Sequence, residues 1–337
     1  MEKIIVTGGA GFIGSHFVKL LLASNDVAEV TVLDALTYAG HKENLDDALT
    51  SPKVNFVRGN ILDEDLVDDL VQRHDAVVHF AAESHVDRSF FEAGAFLATN
   101  VVGTHTLLEA AKRHHIHKFV HVSTDEVYGP MACGSASERS PLRPTVPYAA
   151  SKACSDLIAL SAFATDGVPV CVTRSSNNYG PHQHPEKIIP LFVTSLLKGE
   201  QVTLHGTGQH IRNWLHVEDN CQGINLVLRR GIPGEVYNIG GGTDLTTREL
   251  TGRLLELCDA DWDQVACIPD RKANDVRYAM DFTKIAEDLG YRPRVSLADG
   301  LAQTVQWHRD HLHLWAPAQR NPDAPLAEIN VPASMER

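Results

Sequence analysis

The sequence predicts an α/β protein built on a doubly wound parallel sheet, followed by a smaller C-terminal α/β region. Two observations predict this fold. Short apolar runs alternate with longer amphipathic stretches from the first residues onward, as they do where crossover helices join parallel strands. A glycine-rich turn follows the first run, where such a sheet starts its first helix. The 337 residues leave room for about two domains.

Six apolar runs are predicted to be the strands of the sheet. They are rich in β-branched and aromatic residues and cover residues 4–6, 30–33, 55–58, 76–80, 118–122 and 170–173. Their continuous apolar character is typical of strands that are covered on both faces. Apolar residues at helical spacing predict connecting helices at 13–23, 64–73, 93–114 and 148–165.

The alternation becomes less regular after about residue 175. Beyond it we predict helices at 188–198, 247–258 and 297–310, and strands at 202–205, 212–216 and 235–239. We expect a first domain at 1–175 with return segments around 210–240, and a second region at 176–314. Residues 315–337 are predicted to be a flexible tail, because four prolines stand there among alanines and charged residues.

The composition is that of an ordinary globular protein, with 43% hydrophobic and 22% charged residues. The 43 acidic residues exceed the 30 basic ones, and the net charge of −13 disfavours a nucleic-acid partner. No apolar run approaches the length of a membrane helix, and the N-terminus has no signal-peptide pattern. We therefore expect a cytoplasmic protein that does not bind membranes.

Neither the cysteines nor the histidines predict a metal site. The six cysteines form no CxxC pair. Histidines are grouped at 114–117 and 308–313, but no HExxH motif and no clear acidic partner accompanies them. We expect solvated histidines and no bound metal.

The turn after the first strand predicts a dinucleotide site. Gly8, Gly11 and Gly14 would let backbone N–H groups approach a pyrophosphate at the N-terminus of the following helix. Asp34 ends the second strand, where a carboxylate accepts hydrogen bonds from the adenosine ribose and repels a 2′-phosphate. The cofactor is therefore predicted to be NAD. Asn60, after the third strand, is a candidate for contact with the adenine edge.

A second motif predicts redox chemistry. Tyr148 and Lys152 are four residues apart, so a helix brings both side chains to one face. Thr124, at the end of the fifth strand, has a hydroxyl that can reach the same substrate oxygen. An ammonium beside Tyr148 favours the phenolate, which can accept a hydroxyl proton while hydride leaves the carbon for nicotinamide. This set predicts the oxidation of an alcohol.

Asp125 and Glu126 follow Thr124 directly and predict further proton transfers. Oxidation of C4 of a hexose makes the C5 proton acidic, and loss of the 6-hydroxyl then needs one base and one acid. Each such group contributes about 10²- to 10⁴-fold in rate. Local sequence leaves another interpretation open, an acidic pair that a helix N-terminus favours.

These residues resemble the extended short-chain dehydrogenase/reductase family and, within it, the nucleotide-diphosphate-hexose 4,6-dehydratases, particularly those that act on dTDP-glucose. The resemblance extends to about residue 312. It is carried by TGGAGFIGSH from Thr7, LDALTYAG from Leu33, HFAAESHVDRS from His79, NVVGTHTLLEAA from Asn100, STDEVYG from Ser123, YAASK from Tyr148 and SNNYGP from Ser176. STDEVYG is the most discriminating run, because relatives that only epimerise or decarboxylate usually lack its Asp-Glu pair.

The resemblance implies a Rossmann-type NAD domain, a nucleotide-sugar substrate and a hydro-lyase of deoxysugar biosynthesis. It implies that Tyr148 is the base for C4 oxidation, Lys152 its electrostatic partner and ribose ligand, and Thr124 the group that binds the substrate oxygen. Asp125 would be the acid and Glu126 the base of elimination. Further cofactor residues implied by position are Phe12, Ile13, Leu36, Thr37, Ile61, Ala81 and Thr99. Implied substrate residues are Ser84, Asn178, Glu186, Lys187, Arg212 and Asn238.

Several residues depart from the family pattern. Asn60 stands where the pattern has an acidic residue, and His205 stands where an aromatic ring would lie against the nucleobase. Asn213 interrupts the RDWLYVEDH-like run, and the RxGHD-like run begins at Arg271 and has Asn274 in place of its histidine. We include His205, Arg271 and Asn274 among the candidate substrate residues, and we keep a different nucleobase or sugar, such as a UDP-linked one, as an alternative.

Two other functions remain open. A nucleotide-sugar 4-epimerase would use the same Tyr148 and NAD, although it would not need Asp125 and Glu126. A non-catalytic NAD-binding regulator would require a broken catalytic set, and the set is complete here. We also expect a homodimer, formed through the helix that carries Tyr148 and the helix before His114, as the family resemblance implies.

Overall fold

The computed structural model describes residues 2–270 and 275–315, and the tail predicted beyond them lies outside this range. Its strands are β1 Glu2–Thr7, β2 Val27–Asp34, β3 Val54–Arg58, β4 Ala76–His79, β5 Lys118–Thr124, β6 Val170–Ser175, β7 Asn177–Tyr179, β8 Val202–His205, β9 Ile211–His216, β10 Val236–Ile239, β11 Thr243–Thr246 and β12 Val265–Ile268. Its helices are α1 Phe12–Leu22, α2 Asp46–Leu49, α3 Glu64–Gln72, α4 Val86–Ser89, α5 Ala93–Leu97, α6 Thr104–Arg113, α7 Pro147–Asp166, α8 Ile188–Leu197, α9 Val217–Arg230, α10 Thr247–Leu257, α11 Thr283–Leu289 and α12 Leu297–Asp310.

Seven parallel strands form the main sheet, in the order β10-β6-β5-β4-β1-β2-β3. The chain starts in the middle of the sheet and winds outward first to one side and then to the other. The direction reverses between β1 and β4, and in such sheets ligands bind in the crevice at this point, beyond the carboxyl ends of the strands. The predicted doubly wound Rossmann-type fold is confirmed.

Both faces of the sheet are covered, which explains why its strands are apolar throughout. Side chains of a strand point alternately to the two faces, so Ile4 and Val6 join a core with α1, α9 and α11. Ile5 joins the core on the other face, with α3, α6 and α7. All three side chains are buried.

A third core belongs to the smaller C-terminal region. It lies between α8, α10, α12 and two small sheets, ordered β11-β9-β7 and β12-β8. Trp214 of β9 and Leu254 of α10 are among its buried side chains. From β9 the chain enters α9 and then β10, which return to the layers of the large sheet. Loops from both regions therefore meet at the carboxyl edge of the main sheet.

The helix predicted at 93–114 is interrupted in the structure. A π-helical turn, Ala98–Gly103, separates α5 from α6. Within it the Asn100 side chain bonds the backbone of Glu83 and the Ser151 hydroxyl, and Thr104 Oγ1 donates to the Asn100 carbonyl at 2.6 Å. Glu83 and Ser151 are far from Asn100 in sequence, and periodicity does not reveal such contacts. Helices α2, α4, α9 and α11 and strands β7, β11 and β12 were also not predicted.

Candidate active site

A cavity of about 340 Å³ lies where the ends of β1, β4, β5 and β6 meet, and its lining contains most of the predicted residues. All five predicted catalytic residues line it: Thr124, Asp125, Glu126, Tyr148 and Lys152. The lining includes eleven predicted cofactor residues, Gly8, Gly11, Phe12, Ile13, Gly14, Asp34, Thr37, Asn60, Ile61, Ala81 and Thr99, and four predicted substrate residues, Ser84, Asn178, Glu186 and Lys187. The fold thus brings together segments that are far apart in sequence.

The glycine turn is shaped to admit an anion. Gly8 has a φ of +67°, and a Cβ at this position would lie 2.6 Å from the backbone nitrogen of Ala81. Gly11 precedes α1 without a capping side chain, and the first turn of α1 has no acidic residue. The N–H groups at this helix end therefore remain available for a pyrophosphate.

Asp34 is held in place by two backbone N–H groups. Its Oδ2 accepts from Ala10 at 2.9 Å and its Oδ1 accepts from Leu36 at 2.8 Å. Leu36 does not line the cavity and contributes through this backbone bond. Burial raises the pKa of Asp34, and the two bonds oppose that rise. The carboxylate keeps lone pairs for ribose hydroxyls, so these residues fit an NAD molecule.

Asn60 lies at the same end of the cavity but is exposed. Its side-chain oxygen accepts from the N–H of Leu62 at 3.0 Å, which closes a local turn. The contact with adenine stays a prediction.

Tyr148 and Lys152 lie in the first turns of α7, with Pro147 at the start of the helix. Thr124, at the end of β5, lies within hydrogen-bonding reach of the Tyr148 hydroxyl and lowers the pKa of that phenol against the effect of burial. Lys152 is buried, and its Nζ donates to the carbonyl oxygen of Val122 at 2.8 Å. Burial lowers the pKa of Lys152 to about 8, against the attraction of Asp156.

Tyr148 is not held as a phenolate in this structure. Burial raises the pKa of its phenol well above the usual range, and the negative charge of Glu126 raises it further. Lys152 is not among the groups that shift this pKa, so its stabilisation of the phenolate stays a prediction. The Lys152 ammonium is hydrogen-bonded to the Val122 carbonyl, and the cavity wall around Tyr148 carries carboxylates that the short motif does not reveal.

Asp125 and Glu126 begin a 3₁₀ turn, Asp125–Tyr128, and have different surroundings. Asp125 is 3% exposed, and burial, with the charge of Glu126, raises its pKa to about 7. Burial also raises the pKa of Glu126, but the cations of Lys187 and Arg212 oppose that rise. Two adjacent carboxyl groups with different environments suit one acid and one base.

The predicted substrate residues divide into two groups. Ser84, Asn178, Glu186 and Lys187 line one wall, where Lys187 Nζ donates to the Ser84 carbonyl at 3.0 Å. His205, Arg212 and Asn238 do not line the cavity, and Arg271 and Asn274 lie outside the described residues.

Arg212 and Asn238 take part in contacts of their own. Arg212 donates to the carbonyl of Asp275 at 2.9 Å and lies over the ring of Tyr278. The Asn238 amide donates to two backbone carbonyls, and its oxygen accepts from the Tyr128 hydroxyl at 2.7 Å. The substrate contacts of His205, Arg212 and Asn238 stay predictions.

Further polar residues that line the cavity were missed, among them Glu83, Asn177 and Gln183. Glu83 Oε2, Asn177 Oδ1 and Gln183 Oε1 are buried and accept no hydrogen bond from any described residue. Buried polar atoms are normally paired, so these suit a bound polar ligand. Glu83 and Asn177 lie inside the runs HFAAESHVDRS and SNNYGP, which was the available signal.

Two classes of feature are not found among the residues at 2–270 and 275–315. No group of three or more His, Cys, Asp or Glu side chains there could hold a metal ion. No helix in the same ranges has both the length and the apolar character to cross a membrane.

Comparison with known proteins agrees with this geometry. The model of the GDP-mannose 4,6 dehydratase family matches residues 5–304. The chain belongs to this family. Within it, a dTDP-glucose 4,6-dehydratase of Actinoplanes sp. is 55% identical over 318 residues, which are 93% of this chain and 99% of the relative. That of Streptomyces antibioticus is 55% identical over 330 residues, 96% of this chain and 98% of the relative. The predicted resemblance to extended short-chain dehydrogenase/reductases of the 4,6-dehydratase type is confirmed.

Solved structures of similar proteins include dehydratases and epimerases. The dTDP-glucose 4,6-dehydratase DesIV of Streptomyces venezuelae, which has NAD bound, is 54% identical with a TM-score of 0.92, and the match covers 94% of this chain and 99% of DesIV. A UDP-glucose 4-epimerase of Thermotoga maritima is 32% identical with a TM-score of 0.86, covering 92% and 99%. The family fold therefore serves both reactions, and site residues must distinguish them.

Proposed function

We propose that the protein catalyses the NAD-dependent dehydration of a nucleotide-diphosphate hexose, in the first instance dTDP-glucose, to its 4-keto-6-deoxy derivative. The observation that carries this proposal is the Asp125–Glu126 pair, which faces the same cavity as Tyr148 and Lys152. Simple alcohol oxidation does not require these two carboxyl groups. The names of the dehydratases that are more than half identical to this chain support the same activity.

The cofactor proposed for this reaction is NAD. Residues 1–175, with return segments around 210–240, would bind it, and residues 176–314 would bind mainly the nucleotide sugar. Gly8, Gly11 and Gly14 would receive the pyrophosphate and Asp34 the ribose hydroxyls. When bound, NAD would accept hydride from C4 and later donate it to C6.

In the oxidation, Tyr148 takes the proton of the C4 hydroxyl while Thr124 hydrogen-bonds the same oxygen. The buried Lys152 places a positive charge one helical turn from Tyr148. This charge stabilises the negative charge that develops on the Tyr148 oxygen during the proton transfer. Burial raises the pKa of the Tyr148 phenol. To act as a base, Tyr148 must therefore pass its own proton to another group, or its pKa must be lower when substrate and cofactor are bound.

In the elimination, Glu126 removes the C5 proton that the new ketone has made acidic. Asp125 gives a proton to the 6-hydroxyl, which leaves as water. A carboxyl group with a pKa of about 7 can both bind and release a proton near neutrality, which suits the acid role. Glu126 afterwards returns its proton to C5, so its protonation state is restored.

The substrate is proposed to lie along the wall of Ser84, Asn178, Glu186 and Lys187. The Lys187 ammonium suits a diphosphate oxygen. Arg212, Asn238, His205, Arg271 and Asn274 are proposed to act at the nucleotide end, by analogy with the family.

We further propose a homodimer and a cytoplasmic location. Apolar side chains on α5, the π-helical turn and α7 are exposed and lie on neighbouring elements: Leu97, Val102 and Leu157. A second copy would cover them. All six cysteines are free, as is usual in a reducing compartment.

The test is to incubate purified, NAD-loaded protein with dTDP-glucose and UDP-glucose, without added reductant, and to follow the products by mass spectrometry. We expect dTDP-glucose to lose the mass of one water. Loss of water only from UDP-glucose would change the proposed substrate. Unchanged mass together with a galactose signal in the NMR spectrum would establish an epimerase and remove the roles given to Asp125 and Glu126.

A further inference from the structure

The Thr124 hydroxyl connects the residues of the two chemical steps. It lies within hydrogen-bonding reach of the Tyr148 hydroxyl. It also donates to Asp125 Oδ1 at 3.3 Å. The backbone N–H of Glu126 donates to the same Oγ1 at 3.3 Å. A hydroxyl has one hydrogen and two acceptor lone pairs, so Thr124 can accept a proton from Tyr148 while it donates its own hydrogen to Asp125. The continuous path is therefore Tyr148 hydroxyl, Thr124 hydroxyl, Asp125 carboxyl.

The Asp125 carboxyl has one oxygen on this path and one oxygen available to substrate. Oδ1 accepts from Thr124, while Oδ2 is buried and accepts no hydrogen bond from a described residue. The residue lines the cavity. Rotation about the Cβ–Cγ bond exchanges the two oxygens, because this torsion has a broad two-fold profile. A proton that arrives from Thr124 can then be presented to the cavity.

We propose that Thr124 is a proton relay, through which the proton taken from the C4 hydroxyl passes from Tyr148 to Asp125 and leaves with the C6 hydroxyl as water. This inference rests on the proposed dehydration. Asp125 would then accept the proton that the oxidation releases from the C4 hydroxyl, and would use it as the acid of the elimination. The two steps of the reaction would thus share one proton.

The proton balance closes without exchange with solvent. In the oxidation, hydride leaves C4 for the nicotinamide and the C4 hydroxyl proton moves to Tyr148. The Tyr148 proton moves to Thr124 Oγ1, and the Thr124 hydrogen moves to Asp125. In the elimination, Glu126 takes the C5 proton, the C6–O bond breaks and Asp125 protonates the leaving hydroxyl. Return of hydride to C6 and of the Glu126 proton to C5 restores every group.

The charged groups around Asp125 are consistent with a carboxyl group that binds a proton transiently. Glu126, on the same turn, raises the pKa of Asp125, and Arg212, on β9, lowers it. Thr124 lies between Asp125 and Tyr148 of α7, and the negative charge of Asp125 raises the pKa of Tyr148. With the pKa of Asp125 at about 7, its carboxyl can take up a proton in the oxidation and release it in the elimination.

Infrared difference spectroscopy of the NAD-loaded enzyme tests the relay. Glu126→Gln removes the elimination base, so dTDP-glucose should stop at the C4 ketone and reduced nicotinamide should accumulate. At a pH above the Asp125 pKa, we expect a carboxylic-acid C=O band to grow with the nicotinamide absorbance. Adding Asp125→Asn should abolish the band, which assigns it. Adding Thr124→Val should abolish it too, whereas Thr124→Ser, which keeps the hydroxyl, should retain it.

Oxidation without the band, or an undiminished band with Thr124→Val, would overturn the relay. The wild-type pH profile provides a second measurement that needs no variant. With the relay, kcat stays level as pH rises through the Asp125 pKa, because the substrate supplies the proton. A fall of about tenfold per pH unit would show that solvent must protonate Asp125 and would also overturn it. Failure of the proposed function can be distinguished from failure of the relay, because the wild type would then form no dehydrated product.

Discussion

Asp125 and Glu126 are neighbours in the chain but have different surroundings. Asp125 is buried behind Thr124, while Glu126 is only partly buried and feels the cations of Lys187 and Arg212. Arg212 opposes the rise in pKa of both groups, but Lys187 acts only on Glu126. Burial with fewer counter-charges favours the neutral carboxyl. The acid and base roles thus follow from environment rather than from residue type.

Replacing Asp125 by Asn should stabilise the protein at alkaline pH. A carboxyl whose folded pKa is raised binds its proton more tightly when folded, so the free energy of unfolding falls as pH rises from the unfolded pKa to the folded value of about 7. From a reference pKa of about 3.9, the loss is at most about 4 kcal/mol. In denaturant unfolding, the free energy of unfolding of Asp125→Asn should exceed that of the wild type at about pH 8 and should be close to it at about pH 4. An equal difference at both pH values would contradict this assignment.

The turn between β1 and α1 combines a strained backbone with close packing. Gly8 has positive φ, and an added Cβ would meet the backbone of Ala81 at the end of β4. Gly8→Ala should therefore cost about 1–3 kcal/mol in the free energy of unfolding. It should also reduce the rise in Tm that NAD produces, because the turn holds the pyrophosphate.

Gly94→Ala is the matched control for this turn. Gly94 is in α5, and a Cβ there would meet no atom within 4 Å. Alanine favours the helical conformation, so the variant should be as stable as the wild type or slightly more stable. Thermal unfolding with and without NAD measures both variants. A stable Gly8→Ala protein with normal NAD stabilisation would refute the strain argument.

A buried ion pair joins β6 to α7, the helix that carries Tyr148. Arg174 Nε donates to Asp156 Oδ2 at 2.8 Å, and Arg174 also donates to the Tyr128 hydroxyl at 2.8 Å. Tyr128 ends the turn that starts with Asp125. The pair therefore connects the two elements that hold the catalytic side chains.

Arg174→Met should cost about 3–5 kcal/mol in the free energy of unfolding, because it leaves the Asp156 charge buried without its partner. Arg113→Met is the control, since it breaks an exposed pair with Asp68 and should cost within about 1 kcal/mol. Urea unfolding compares the two variants. Similar costs for both would contradict the importance of burial.

The molecule exposes an apolar face on α5, the π-helical turn and α7. Leu97 is 50% exposed, Val102 52% and Leu157 59%. Exposed apolar side chains that are grouped in this way usually mark an interface. Leu157 lies on α7 itself, so a dimer formed there would pack against the helix that carries Tyr148.

Sedimentation should give about twice the chain mass of 36.9 kDa. Leu157→Asp should shift the protein to the monomer mass, because the two-fold interface would bury a charge from each copy. Ile232→Asp is the control, since Ile232 is equally exposed at 59% but lies in the loop between α9 and β10. A monomeric wild type, or dissociation by both variants, would exclude the interface.

The sequence by itself determined the features that depend on neighbouring residues or on strand ends. Apolar runs identified the strands of the main sheet, because strands covered on both faces must be apolar throughout. The glycine turn, Asp34, Thr124 and the Tyr148–Lys152 spacing then had to meet at one edge, since carboxyl ends of parallel strands lie together. The structure brings all of them into one cavity.

Only the tertiary structure decided which charges face one another. The raised pKa of Tyr148 depends on burial and on Glu126, whereas the short motif suggests an effect of Lys152. Asn100, in the π-helical turn, bonds Glu83 and Ser151, which periodicity cannot relate to it. The Thr124 path from Tyr148 to Asp125 likewise joins α7 to β5. Electrostatic energies and hydrogen bonds act between residues that are close in space, and sequence separation does not specify that distance.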